Sequence, residues 1–250
     1  MRLIKKSPNG QGQKELSLII GDLHSTPDAT VSYDRGMNAK HRRIILQNLL
    51  EDQGFICAYC MRRLKLDGTG DTEPHIEHYL VRNPNEEYRA KLPPDTSGYD
   101  EDRESLNYRN LFAVCNGGSE QKKNKTDIQE KCCDKSRPAN KPLHISPLRK
   151  HDIDSIYYTT DGKIHSTNPD FDYDLDIALN LNCEKLSFPQ NRQAVLRAMQ
   201  DSVIASNNQL NRQKMRQIAQ DLGQAGKPLP AYAGILIWWL EKKGINIPYE

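Results

Sequence analysis

The chain has 250 residues, 36% of them hydrophobic and 27% charged, with a formal net charge of +2 and a mean hydropathy of −0.78. That composition excludes collagen-like, mucin-like and coiled-coil classes, and it leaves room for one domain with an extension or two small domains rather than one large apolar core. The longest apolar run, Ala231 to Leu240, is about half a bilayer span. The opening Met1-Arg2-Leu3-Ile4-Lys5-Lys6 leads into polar sequence without the apolar stretch of a signal peptide. A cytoplasmic protein with no membrane association is therefore expected.

Residues 1–52 read as an N-terminal segment. A short strand is expected near Leu16–Ile20, with turns at Pro8-Asn9-Gly10 and Pro27-Asp28. Asn38 to Gln53 has helical periodicity through Ile44, Leu46, Leu49 and Leu50, and Gly54 is a natural stop. Residues 53–145 form the central segment. It runs from Phe55 to Cys60 and through a turn-rich stretch at 65–75 to a strand over His75–Val81. A long polar loop over Asn83–Glu104 comes next, then a short strand over Leu111–Val114. A Lys-rich loop over Asn116–Lys131 and a turn or short helix over Cys132–Lys141 close the segment.

Residues 146–250 read as a mainly helical extension. A hairpin opens it: Ile156–Thr160, the turn Asp161-Gly162, and the return Lys163–His165. Gln190–Leu222 gives one or two helices, and Leu236–Lys243 a last helix closed by Gly244. Charge is unevenly spread. Asp152, Asp154, Asp161, Asp170, Asp172, Asp174 and Asp176 make one stretch acidic. Lys185, Arg192, Arg197, Arg212, Lys214 and Arg216 then face only Asp201. Basic residues on such helices could contact phosphates, although a solvated helix face is the plainer reading. The apolar Tyr232–Leu240 suits a last core helix, or aromatic anchors for a partner through Trp238 and Trp239. No internal repeat is present.

Four pieces carry chemistry: Cys57-Ala-Tyr-Cys60, His75-Ile-Glu77-His78, Asn107-Tyr-Arg-Asn110-Leu-Phe-Ala-Val-Cys115-Asn116, and Cys132-Cys133-Asp134-Lys135. The first pair of cysteines can present two thiolates to one tetrahedral ion, and Cys115 with Cys132 or Cys133 completes a four-thiolate structural zinc site. A redox pair needs a surrounding βαβ pattern, which is missing. Cys183 lies apart and suits the core. On a strand, Glu77 shares a face with His75 and His78 shares one with Ile76. A site using both Glu77 and His78 must therefore lie at a strand end or a local distortion. Taken alone, the tetrapeptide reads as a surface ion pair.

The order of the four pieces resembles the HNH endonucleases, over about residues 53–142. The run through Leu49-Leu50-Glu51, the cysteine pair, Glu77-His78 and Tyr108-Arg-Asn110-Leu111 is most similar to the HNH subunit of Septu and retron antiphage systems, the PtuB group. Leu179-Asn180-Leu181-Asn182 and Leu186 add to that similarity. The resemblance implies an α+β protein with a ββα-metal core, a structural zinc on Cys57, Cys60, Cys115 and Cys133, an N-terminal helix and a helical C-terminal region. It implies His78 as the general base, Glu77 as a ligand to Mg²⁺ or Mn²⁺, and Asn110 holding the site loop and orienting His78. Asp134 takes the position of the last metal ligand, where the family usually has Asn or His; Asn116 and Asn140 are the reserves. His75 would stand beside the metal or be a third ligand to it, or equally be a solvated strand histidine. The partners implied are an ABC-type ATPase and, in retron versions, a reverse transcriptase with its RNA–DNA hybrid. The substrate implied is a nucleic acid, with DNA favoured over RNA or tRNA. A zinc-stabilised nucleic-acid-binding or scaffold subunit without catalysis is the alternative reading of the same residues.

Overall fold

The computed structural model describes residues 1–27, 31–67, 73–92, 99–118, 130–205 and 209–249. Asp28 of the expected Pro27-Asp28 turn lies outside these residues, as do parts of the stretches expected to be loops at 65–75, 83–104 and 116–131.

The first helix, α1 (Gln11–His24), stands where a strand was expected at Leu16–Ile20. Leu16 and Ile19 are buried, Ile20 and Leu23 are half-buried against the core, and Leu18 is exposed. That is the i, i+3, i+4, i+7 spacing of a helix; the five-residue window was too short to separate it from alternation. A one-turn helix, α2 (Tyr33–Gly36), leads to α3 (Ala39–Gln53). The Asn38 side chain caps α3 by accepting from the backbone of His41, and Gly54 ends it in a left-handed conformation (φ 69°). A side chain at Gly54 would strike Leu229. The buried face of α3 carries Ile45, Leu46, Leu49 and Leu50, each contributing about 1.5–3 kcal/mol by leaving water.

Strands β1 (Pro74–His78) and β2 (Leu111–Cys115) pair antiparallel, with Pro74 opposite Cys115 and His78 opposite Leu111. Every residue of β2 is buried. Its outer edge is closed by Gln53, whose amide donates to Ala113 O (2.7 Å) and accepts from Ala113 N (2.8 Å). The last side chain of α3 thus stands in for a third strand. Between the two strands, within the stretch expected as loop, lie α4 (Glu86–Ala90) and α5 (Glu101–Ser105), capped by Asn85 and Asp100.

Beyond the short α6 (Lys150–Asp154), the expected hairpin forms from β3 (Ile156–Tyr158) and β4 (Ile164–Ser166). Helix α7 (Pro169–Tyr173) runs into a π-turn over Asp174–Ala178. Two helices, α8 (Phe188–Val203) and α9 (Arg212–Gly223), fill the expected helical stretch, and α10 (Ala233–Lys242) is the last. Core packing claims α10: Trp239 is buried, and Trp238 lies against Tyr158 with ring centroids 5.7 Å apart. Buried side chains from α1 to α10 belong to one core cluster. Among the described residues no helix is long and apolar enough to cross a membrane.

Candidate functional site

Four cysteines from three separate segments meet in the core. Cys57 and Cys60 sit on the turn after α3, Cys115 ends β2, and Cys133 opens a one-turn 3-10 helix over Cys133–Lys135. Their sulfurs all lie within 4.8 Å of one another. Cys57–Cys133, Cys60–Cys115 and Cys115–Cys133 are 3.8, 3.7 and 3.5 Å apart. A tetrahedral ion with sulfur at about 2.3 Å has S···S edges of about 3.8 Å, so the quartet has the dimensions of a zinc site. Four thiolates are the soft donor set that zinc takes, and they leave no open position for water. The four cysteines could therefore hold a metal ion such as zinc, and its role would be structural.

Two left-handed residues aim these ligands: Met61 (φ 62°), just past the first pair, and Cys133 itself (φ 57°). Both are held from outside. Tyr232 N donates to Met61 O (2.9 Å), and Cys133 N donates to Leu179 O (2.9 Å). The C-terminal segment thus fixes the ligand turns. Cys132 lies beside the quartet, its sulfur accepting from Arg62 Nη2 at 3.6 Å; the same nitrogen is 3.3 Å from Cys115 Sγ. Arg62 would offset the surplus negative charge that four thiolates leave on one divalent ion. Burial raises the Cys57 and Cys133 thiols well above the ordinary range. Burial opposes the shift at Cys60, but hydrogen bonds from neighbouring thiols outweigh it and hold that thiol well below the range. An ion binding here would displace the remaining protons. Cys183 is buried apart from the quartet, as expected.

Strand β1 separates the residues expected to act together. Glu77 points to Arg137, whose Nη1 is 3.2 Å from Glu77 Oε1 and 3.3 Å from His78 O. On that side His75 Nε2 meets Asp134 Oδ2 at 2.9 Å, and Lys135 Nζ meets the same oxygen at 2.9 Å. Asp134 Oδ1 is buried with no hydrogen-bond partner. Burial raises the Glu77 carboxyl. Burial works the same way on Asp134, but His75 and Lys135 overcome it and lower that carboxyl.

His78 points the other way, toward α2 and α5. Its Nε2 lies 3.0 Å from Ser105 O. A carbonyl only accepts, so Nε2 carries the proton and Nδ1 is the basic nitrogen. Burial lowers its pKa to about 4, so the ring is neutral at pH 7. Tyr33 stands edge-on to it, with centroids 4.7 Å apart.

Asn110 links these parts. Its Oδ1 accepts from Leu80 N (2.7 Å), and its Nδ2 donates to Leu80 O (2.9 Å) and Glu104 O (3.0 Å). It therefore ties the chain just after His78 to the turn that carries the His78 acceptor. Asn140 lies near Glu87, and Asn116 follows directly on β2. The structure thus assembles the four cysteines, sets His75, Glu77 and Asp134 on one side of β1, and sets His78 on the other. Among the described residues the cysteine quartet alone brings three or more ligand atoms of the metal-binding types within 4.8 Å.

Sequence reading missed Arg137, Arg42 and Arg82. Arg137 follows Asp134 by three positions and Arg82 follows His78 by four; a search for countercharge near each acid or histidine would have raised both. Arg192 was read as part of a solvated helix face, with contact to phosphates as the other possibility, and it is neither. It is fully buried, its Nη1 donating to Gly162 O at 3.0 Å. The guanidinium satisfies Gly162 O of the β3–β4 turn and also donates to Leu181 O. No family model and no curated protein matches the chain.

Proposed function

We propose that the chain is a metal-dependent endonuclease of the HNH type that hydrolyses nucleic-acid phosphodiester bonds. In this reading residues 53–145 form a ββα-metal core, and the chain is the effector subunit of an antiphage complex with an ABC-type ATPase, joined in a retron version by a reverse transcriptase and its RNA–DNA hybrid. The observation that carries the reading is the convergence of all four sequence motifs on one hairpin. Glu77-His78 end β1, Asn110 precedes β2, Cys115 ends β2 in the quartet, and Asp134, next to Cys133, reaches back to His75 on β1. The α element of a ββα core has no counterpart among the described residues between β2 and Cys132, where 119–129 are not described.

His78 Nδ1 takes the proton of the attacking water as the phosphorus–oxygen bond to water forms. A ring neutral at pH 7 is already in the state this step needs. Ser105 O fixes the ring through Nε2–H and favours the cationic form once the proton arrives. Asn110 keeps that acceptor in place. Glu77 and Asp134 would hold a magnesium or manganese ion; the unpartnered, buried Asp134 Oδ1 suits a hard cation. Such an ion supplies charge stabilisation at the phosphate and leaving oxygen. Arg137 balances Glu77 within the fold.

The separation of Glu77 from His78 by β1 favours a second reading, a zinc-stabilised nucleic-acid-binding subunit without catalysis. One experiment divides the two. The purified chain, alone and with an ABC-type ATPase encoded beside it, is incubated with plasmid and total RNA in Mg²⁺ or Mn²⁺, next to His78→Ala. Cleavage by the wild type and its loss in the variant are expected, and the cleaved polymer names the substrate. Binding without cleavage in every condition would overturn the endonuclease reading in favour of the second.

A further inference from the structure

A cavity of about 360 Å³ opens on the His78 side of β1. It is lined by Tyr33 of α2, Arg42 and Leu46 of α3, Arg82, and β1 through Pro74, His75, Ile76 and His78. No acidic side chain is among the described residues that line it. Tyr33 organises the wall. The Arg42 guanidinium lies near its hydroxyl, the Arg82 guanidinium lies 4.9 Å from its ring centroid, and its ring meets His78 in a T-shaped contact. The two guanidinium groups come from different elements and line the space beside the His78 imidazole, with His75 also on its wall. Asp34, itself largely exposed, pairs with Arg82.

We propose that Arg42 and Arg82 are a phosphate clamp that receives one phosphodiester of a single nucleic-acid strand and presents it to His78. Planar guanidinium forks match phosphate oxygens two at a time, which an ammonium does not do. The cavity lies at the small end of the range for ligand pockets, with room for a phosphate and its sugar but not for a duplex. Asp34 holds Arg82 in position until a phosphate replaces it. The clamp rests on the endonuclease reading only for the role of His78. As a binding site it stands on the two arginines and Tyr33.

The test is fluorescence anisotropy with a short fluorescein-labelled single strand, as DNA and as RNA of one sequence, with no added Mg²⁺ or Mn²⁺. Arg42→Gln and Arg82→Gln are each expected to weaken binding about tenfold and to flatten the slope of log K against log salt by about 0.7. Arg42→Lys and Arg82→Lys, which keep the charge and lose the fork, should fall between. Asp34→Asn should bind more tightly, a change that general loss of structure would not produce. Arg42 is exposed and Arg82 half-buried, so the variants are expected to fold, which thermal melts check. DNA and RNA affinities identify the source of the phosphodiester. Arginine variants that bind at wild-type affinity with an unchanged salt slope would overturn the clamp, as would a wild type that binds neither strand at low salt. His78→Ala separates the two proposals. If it binds as wild type but does not cleave, both stand; if it cleaves as wild type while the arginine variants fail to bind, the clamp stands and the base assignment falls. Lost cleavage with arginine-independent binding leaves the base assignment and removes the clamp.

Discussion

The two ends of the β1–β2 hairpin are secured by different forces. At the Cys115 end, four buried sulfurs converge at the spacing of a single tetrahedral ion, and without an ion they are a set of mutually coupled thiols. At the His78 end no ion is needed. Asn110 makes three hydrogen bonds to backbone, Ser105 O accepts from His78, and Lys6 donates to Leu111 O while lying over the Tyr108 and Phe112 rings. With an ion bound, the cysteine end would be all-or-none, because losing one ligand would leave three buried thiols without their ion. The hydrogen-bonded end is graded, because each bond can be removed separately. A rigid anchor at one end and adjustable neutral contacts at the other is an arrangement that keeps a histidine fixed but uncharged.

The largest effect should come from the metal end. Cys57→Ser, or removal of the ion by a chelator, is expected to cost on the order of 10 kcal/mol and abolish a cooperative thermal transition. Zinc content by atomic emission and the melting curve check this together. A metal-free protein that melts like the wild type would show that the quartet holds no ion.

Acid titration probes the other end. The folded-state pKa of His78, about 4, lies below the unfolded value of about 6.5. Its neutral burial therefore contributes stability that is full above pH 6.5 and is lost as pH falls toward 4, up to about 3 kcal/mol. Urea midpoints should fall across that window in the wild type and fall less in His78→Gln. Identical acid limbs would mean the ring is not held neutral.

A smaller loss is expected for Asn110→Ala, about 2 kcal/mol for its three backbone contacts. Asn110→Asp should do no better, since a carboxylate cannot donate to Leu80 O and Glu104 O. Equal urea midpoints for wild type and both variants would detach Asn110 from the positioning of this end. The smallest stability changes belong to Arg42→Gln and Arg82→Gln, within about 0.5 kcal/mol, although nucleic-acid binding changes by an order of magnitude.

Long-range coincidence was the legible part of this sequence. The cysteine set was readable because an ion demands a fixed number of sulfurs, and only Cys133 rather than Cys132 needed coordinates to settle. Helix α3 was readable from its period, with Asn38 and Gly54 as its ends. Helix α1 was not, because Leu16, Ser17, Leu18, Ile19 and Ile20 contain too few positions to fix a period. The β1 site was half legible. Alternation correctly separated Glu77 from His78, but nothing local shows that Arg137 is the partner of Glu77 or that Tyr33 gathers Arg42 and Arg82. Glu77 and Arg137 are 60 positions apart and Tyr33 and Arg82 are 49, too far for any spacing rule, while Tyr33 and Arg42, 9 apart, lie on different helices. Arg192 shows the converse error: a basic residue on a helix reads as solvated until the carbonyls it meets, Gly162 O and Leu181 O, are seen.

The most direct test of the central claim is a single-turnover comparison of wild type and His78→Ala on the polymer that the wild type cleaves, both proteins carrying the same zinc content. A positioned general base contributes about 10²–10⁴ in rate. The account predicts a loss of that size with zinc content, fold and strand affinity unchanged. A His78→Ala protein that cleaves at the wild-type rate would contradict it.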